Sequence, residues 1–198
     1  MWPYWANAMN ELHKHILGFC DLNAGQFELV RDYFEYKRVS KKETLYEAGS
    51  NNLGHFFVVK GCLHMYLINE RGSQQTLQFA IDNWWLTDHQ AFRNKTASEF
   101  YIQAVEASEV LIISNEKQAE LLQKYPQMEV YFRNIYEIAY GAAIMRMKYI
   151  FTYTKEEIYF KFRDAFPDFV NNMPQYLVAT YLGLSPEYVS KLRRKDVS

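Results

Sequence analysis

Glu187, Ser190, Lys191 and Arg194 fall at i, i+3, i+4 and i+7, the spacing that collects side chains on one face of a helix. A carboxylate, a hydroxyl, an ammonium and a guanidinium on one exposed stripe suit hydrogen bonding in the major groove of DNA. From Ser185 to Lys195 there are four basic residues (Lys191, Arg193, Arg194, Lys195) and one acid (Glu187). The local charge of about +3 stands out in a chain of net charge -1. That overall balance excludes a broadly basic nucleic-acid coat, so any DNA contact must come from this patch.

The stripe needs a helix held at a fixed angle, and the residues before it supply one. Pro174 suits the first turn of a helix in which Leu177, Val178, Tyr181 and Leu182 recur at helical spacing. Gly183 ends that helix in a left-handed conformation and Leu184 turns inward. Ser185 then caps a second helix, with Pro186 at its first position and Glu187 near the positive end of its dipole. Val189 and Leu192 point back at the first helix, where the small Ala179 permits close approach. A plain helical hairpin with a solubilising basic end would share these helices. The glycine, small and branched residues at the required offsets favour a DNA-reading helix-turn-helix.

At 198 residues and 49% hydrophobic composition, the chain can hold one substantial domain and a small one. Two cysteines, Cys20 and Cys62, are too few for a disulfide framework or a four-cysteine metal site. No apolar run approaches the roughly 20 residues of a membrane span, and the N-terminus does not read as a secretory signal. The expectation is a soluble, cytoplasmic protein with no membrane partner. His13, His15, His55, His64 and His89 lack metal-ligand spacing. No nucleophile–base pair or phosphate-cradling glycine loop stands out, so the chain reads as a non-enzyme without metal or cofactor.

Helical periodicity runs from about Asn10 to Phe34, interrupted near Gly25. Short apolar runs follow at 44–46, 56–59, 63–68, 76–79, 101–105 and 110–113, punctuated by Gly49, Gly54, Gly61 and Gly72. This predicts an antiparallel β-roll or barrel with a hairpin at Asn69–Gly72. Ser114 caps a short helix ending near Tyr125, and a long helix reaches about Ile150. On it, Met128, Tyr131, Ile135, Ile138, Ala142, Met145 and Tyr149 form an a/d seam for a second helix, which points to a homodimer. A second stripe of Phe132, Ala139, Ala143, Met147 and Ile150 remains to cover the β-domain. Thr154 to Glu157 is a capping box that opens a helix ending near Phe166.

This order of parts resembles the Crp/Fnr family of bacterial transcription regulators over nearly the whole chain. His55-Phe-Phe-Val-Val-Lys-Gly-Cys-Leu-His-Met-Tyr66 is similar to the family's strand-glycine-strand signature, and Glu47-Ala-Gly-Ser50 to the glycine turn before it. The run from Pro174 to Arg193 resembles the short members found in Bacteroidetes-type bacteria. The resemblance implies an α+β fold: an N-terminal, jelly-roll-type, cyclic nucleotide-binding-like β-roll with flanking helices (1–125), a dimerisation helix (126–152) and an all-α helix-turn-helix domain (153–198). It implies a dimeric, sequence-specific DNA-binding regulator, with RNA polymerase as a partner if it activates. Glu187 and Lys191 then contact base edges with Ser190 beside them, Glu accepting from cytosine N4 and Lys donating to guanine. Tyr176, Ser185, Tyr188, Arg193 and Arg194 contact phosphates. Ile135, Ile138, Ala142, Met145 and Tyr149 lie in the dimer helix.

Cyclic-nucleotide-binding relatives hold ribose and phosphate with a Gly-Glu pair and a nearby arginine. Here Asn83-Trp84 and Ser98 stand at those places. Without an ionic partner a buried phosphate is poorly compensated, which argues against cyclic AMP or cyclic GMP as effector. Trp84 and Trp85, with Ser98, either line a pocket for another small molecule or fill a core. The two cysteines cannot hold an iron–sulfur cluster within one subunit. Only 167–173 precedes the helix pair, leaving little room for a β-hairpin wing. The competing reading is a ligand-binding module acting on a protein partner, with no DNA target.

Overall fold

The computed structural model describes residues 2–196. They group into two compact units, one of residues up to Leu67 with Leu77–Tyr136, the other of Ile68–Thr76 with residues from Glu137 onward. The division falls within the long helix, at 136/137.

The first unit is built on two four-stranded antiparallel sheets. One has the order β1 (Glu35–Val39), β8 (Ser108–Ser114), β3 (Gly54–Lys60), β6 (Trp85–Leu86); the other has β2 (Thr44–Tyr46), β7 (Tyr101–Ala104), β4 (Leu63–Ile68), β5 (Gln74–Ala80). The apolar runs read from sequence all fall on strands. β1 and β6 were not anticipated, because Glu35-Tyr-Lys-Arg-Val39 has no apolar run and β6 is two residues long.

β3 shows why this region alternates without looking alternating. Phe56 and Val58 face the roll interior with Tyr46, Leu63, Met65, Leu86 and Ile102. Phe57 and Val59 face a second core made with α1 (Trp2–Leu17), α2 (Ala24–Val30), α4 (Asn115–Lys124) and the first turns of α5 (Gln127–Thr152). A strand covered on both faces needs apolar residues at every position. Between β3 and β4, Gly61 has φ 103, and a Cβ there would lie 2.3 Å from Ser108 Oγ. Only glycine fits that turn.

The helical break lies at Gly18–Asn23, not at Gly25: Gly25 sits inside α2, which begins with a capping box between Asn23 and Gln26. A 3-10 turn follows at Arg31–Tyr33. Ser114 accepts from the Lys117 N–H and caps α4 as expected. A further helix, α3 (His89–Asn94), lies between β6 and β7.

In the second unit α6 (Lys155–Ala165) starts at the Thr154–Glu157 capping box. The short segment thought too brief for a wing is a helix, α7 (Pro167–Asn172). α8 (Gln175–Tyr181) and α9 (Pro186–Asp196) close the fold. Ile158, Tyr159, Phe162, Val170, Val178, Val189 and Leu192 form this unit's own core. No helix among the described residues is long and apolar enough to cross a membrane.

Candidate nucleic-acid interface

The turn between α8 and α9 is fixed by backbone hydrogen bonds. Gly183 has φ 70; its N–H donates to the Thr180 carbonyl at 3.3 Å and the Leu184 N–H to the Ala179 carbonyl at 2.8 Å. These two bonds make a Schellman closure, and Leu184, buried, supplies its apolar contact. Pro174 is the residue just before the helix rather than its first member, with ψ 129. The Ser185 hydroxyl accepts from the Tyr188 N–H at 3.2 Å. Val189, Leu192 and Ala179 are fully buried. One face of α9 is therefore locked, and the other is left to solvent.

That outer face holds the stripe. Glu187, Lys191, Arg194 and Lys195 line a surface concavity of about 660 Å³, and Gln175, Pro186, Glu187, Ser190 and Arg194 line a neighbouring one of about 320 Å³. The Glu187 carboxylate is held below the usual carboxylate range by its own backbone N–H and the Ser185 hydroxyl, so it is ionised and folded onto the helix start. Gln175 was missed from sequence. Its side-chain amide donates to the Pro186 carbonyl at 2.7 Å, tying the start of α8 to the first turn of α9.

The structure divides the basic residues. Arg193 turns inward and donates to the Val170 carbonyl at 2.6 Å, so its guanidinium holds α9 to α7 rather than standing ready for a phosphate. Lys195 pairs with Glu156 at 3.2 Å on the surface, a contact worth little in water. Lys191 is exposed and Arg194 folds toward the Ser190 carbonyl at 3.5 Å, so these two carry the outward positive charge. Tyr176 is exposed on α8, whereas Tyr188 packs partly against the helical core.

The dimer-helix residues are likewise split. Ile135 is buried in the helix-side core of the first unit, and Tyr149 packs against the core of the second. Only Ile138, Ala142 and Met145 of that set are exposed. A different stripe, Tyr140, Ile144, Met147 and Phe151, is exposed throughout, from 39% at Ile144 to 85% at Phe151. Its 4-3-4 spacing was legible in the sequence but was overlooked beside the longer seam.

In the roll, Trp84, Trp85 and Ser98 do not share a pocket. Trp85 lies in the helix-side core, where its indole N–H donates to the Tyr131 hydroxyl at 2.7 Å, and Tyr131 OH lies 2.8 Å from His15 Nδ1. Trp84 is exposed and Ser98 buried. Asn83 keeps the left-handed backbone that a glycine would adopt there, φ 68.

Asp88, also missed, sits just before α3. Its carboxylate accepts from the Gln90 and Ala91 N–H groups at 3.1 and 3.2 Å and from the Ser98 hydroxyl at 2.8 Å. The Ser98 N–H donates to Tyr46 OH at 3.2 Å. The Gln90 and Ala91 N–H groups and the Ser98 N–H and hydroxyl thus each already meet an oxygen of the chain itself. Among the described residues, no group of three His, Cys, Asp or Glu side chains could hold a metal ion.

Comparison with known proteins agrees with this anatomy. The cyclic nucleotide-binding domain family matches residues 36–125. Among solved structures, CooA from Carboxydothermus hydrogenoformans is 16% identical with a TM-score of 0.68, covering 85% of this chain and 78% of that one. FixK2 from Bradyrhizobium japonicum is 16% identical with a TM-score of 0.65, covering 82% and 83%. A regulator of the crp/fnr family from Eubacterium rectale is 17% identical with a TM-score of 0.65, covering 88% and 83%. No curated protein matches the sequence. Residues 36–125 are thus similar to the cyclic nucleotide-binding domain family, in a chain whose fold is that of the Crp/Fnr transcription regulators.

Proposed function

We propose that this protein is a homodimeric, sequence-specific DNA-binding transcription regulator whose β-roll takes no cyclic nucleotide. The observation that carries the reading is the division of α9: Val189 and Leu192 are buried, while Glu187, Ser190, Lys191 and Arg194 line the exposed concavities. A helix anchored on one face and armed on the other can enter a major groove without distorting its own core. Lys191 donates to guanine and Glu187 accepts from cytosine once released from its own helix start; Arg194, Tyr176 and Ser185 meet phosphates. A packing unit serving only a protein partner has no need of that outward charge.

The partner copy covers the exposed face of α5, where Ile138 and Met145 lie on one side and Tyr140, Ile144, Met147 and Phe151 on another. Leaving so many large apolar side chains in water on one helix is unfavourable, and a second helix at heptad register removes them from it. Two copies present two α9 helices to a pseudo-palindrome. The roll's anion position is filled by Asp88, and its interior by Tyr46, Phe56, Met65 and Ile102, which leaves cyclic phosphate without donors or space. DNA as target places the protein in the cytoplasm, and RNA polymerase is the partner if bound promoters are activated.

Selection from a random duplex library, followed by mobility shift and native mass of the complex, tests the proposal. Two chains should bind one duplex at a pseudo-palindromic site. Lys191→Ala should cost about 1–3 kcal/mol of discrimination at one base pair per half-site. Recovery of no preferred sequence at low salt would refute it.

A further inference from the structure

Arg146 has no place in the base-reading or dimer sets, yet its guanidinium is engaged by two carbonyls and an aromatic ring. Its Nη2 donates to the Tyr181 carbonyl at 2.7 Å and to the Thr76 carbonyl at 3.3 Å, and its guanidinium lies 4.4 Å from the Tyr181 ring centroid. The Thr180 hydroxyl donates to the Leu177 carbonyl at 3.2 Å, so in its 2.9 Å contact with Thr76 it accepts the Thr76 proton. The Gln75 side-chain amide donates to the Thr180 carbonyl. Thr76 is fully buried in this arrangement. Three elements meet here: α5, the Ile68–Thr76 hairpin and the end of α8.

We infer that Arg146 is a positioning residue for DNA reading, a latch that fastens the β4–β5 hairpin to the end of α8 and so steadies the turn from which α9 is launched. Tyr181 and Leu182 end α8, and carbonyls at a helix end lack intrahelical donors. A cation placed there satisfies one of them and opposes the negative end of the dipole. A planar guanidinium can bond two carbonyls from different elements while stacking on an aromatic ring; an ammonium cannot do all three. The latched turn begins one residue beyond Leu182, at Gly183, whose left-handed backbone has no side chain of its own to hold it.

The hairpin is also the end of two strands that line the roll. β4 contributes Leu63 and Met65 to the roll interior, and Leu77 of β5 packs against it. Thr76 stands near the tip of that hairpin, and through Thr180 the latch joins the tip to the helix that precedes the reader.

The inference rests on the DNA-reading proposal, and its test separates the two. Arg146→Gln and the shape-conserving Thr76→Val are compared with the unmodified protein for affinity to the selected duplex, for base preference, and for amide hydrogen exchange. Both variants should weaken binding between about two- and thirty-fold, the double variant should weaken it by less than the product of the two, and the preferred sequence should stay the same. Exchange should rise together in 68–76 and 175–184 in both. Arg146→Lys should recover only part of the affinity. Unchanged or increased affinity in Thr76→Val, or exchange that rises in the hairpin alone, would overturn the latch. If the unmodified protein binds no duplex, the functional reading fails, and the paired exchange in the two segments still decides the latch.

Discussion

The roll and the helix pair treat their polar groups in opposite ways. Around α3 the donors of Gln90, Ala91 and Ser98 are consumed by Asp88, and around Trp85 the indole and phenol are consumed by Tyr131 and His15. On α9 the apolar residues are consumed by packing, and Glu187, Ser190 and Lys191 are left facing outward. A region whose hydrogen-bonding groups are satisfied internally has little affinity left for a polar ligand. A region that satisfies its backbone with caps and turns keeps its side chains for a partner. Under the proposed function, specificity resides in the small C-terminal unit rather than in the larger β-roll.

The largest expected effect tests whether the two regions are energetically separate. Leu192→Ala removes a fully buried side chain from the ten-residue core under α9 and should destabilise the second unit by about 2–5 kcal/mol. All four tryptophans lie at or before Trp85, so tryptophan fluorescence follows the first unit alone. The circular dichroism melt should shift down while the fluorescence melt holds. A common shift would show that the units unfold as one.

Acid should act in the opposite direction, on the roll only. Burial lowers the His55 pKa to about 3, with His89 nearby adding to the effect, and lowers His64 to about 4. The unfolded state then binds more protons than the folded state between those values and the ordinary histidine range near 6.5. Stability is fully present above pH 6.5 and is lost as pH falls, by up to about 1.4 kcal/mol per pH unit for each histidine. No histidine occurs in 68–76 or after residue 89, so a fluorescence-monitored melt should fall between pH 6.5 and 4.5 with little change in the second unit. Equal loss in both units would break the contrast.

The smallest effect sharpens the contrast at its centre. Asp88→Ala removes the cap of α3 and should cost about 0.5–2 kcal/mol in a thermal melt. Titration calorimetry of the unmodified protein with cyclic AMP should show no binding heat. Saturable binding would mean that the roll is not internally satisfied.

How much of this was legible beforehand depends on the reach of each interaction. The Thr154 and Ser114 caps, the Gly183 turn, the Asn69–Gly72 hairpin and the strand runs are set by residues within a few positions of one another, and all appear as read. The Gly25 break failed because a capping box at Asn23 outweighs one glycine in a first turn. The apolar seam was read correctly as a helical period, but period alone does not say which stripe a helix spends on its own core. Met128, Tyr131 and Ile135 are spent there.

Determined by the sequence itself were the order of elements, the amphipathic division of α9 and the charge on its outer face, because caps, periodicity and composition act locally. The tertiary structure alone decided that Arg193 turns to Val170, 23 residues away, that Asp88 takes the Ser98 hydroxyl, that Trp84 and Trp85 part company, and that Arg146 bridges Thr76 and Tyr181, 70 and 35 residues away. A hydrogen-bonding group takes whichever partner folding brings within about 3 Å, and that partner is chosen by the packing of whole elements rather than by neighbours in the chain.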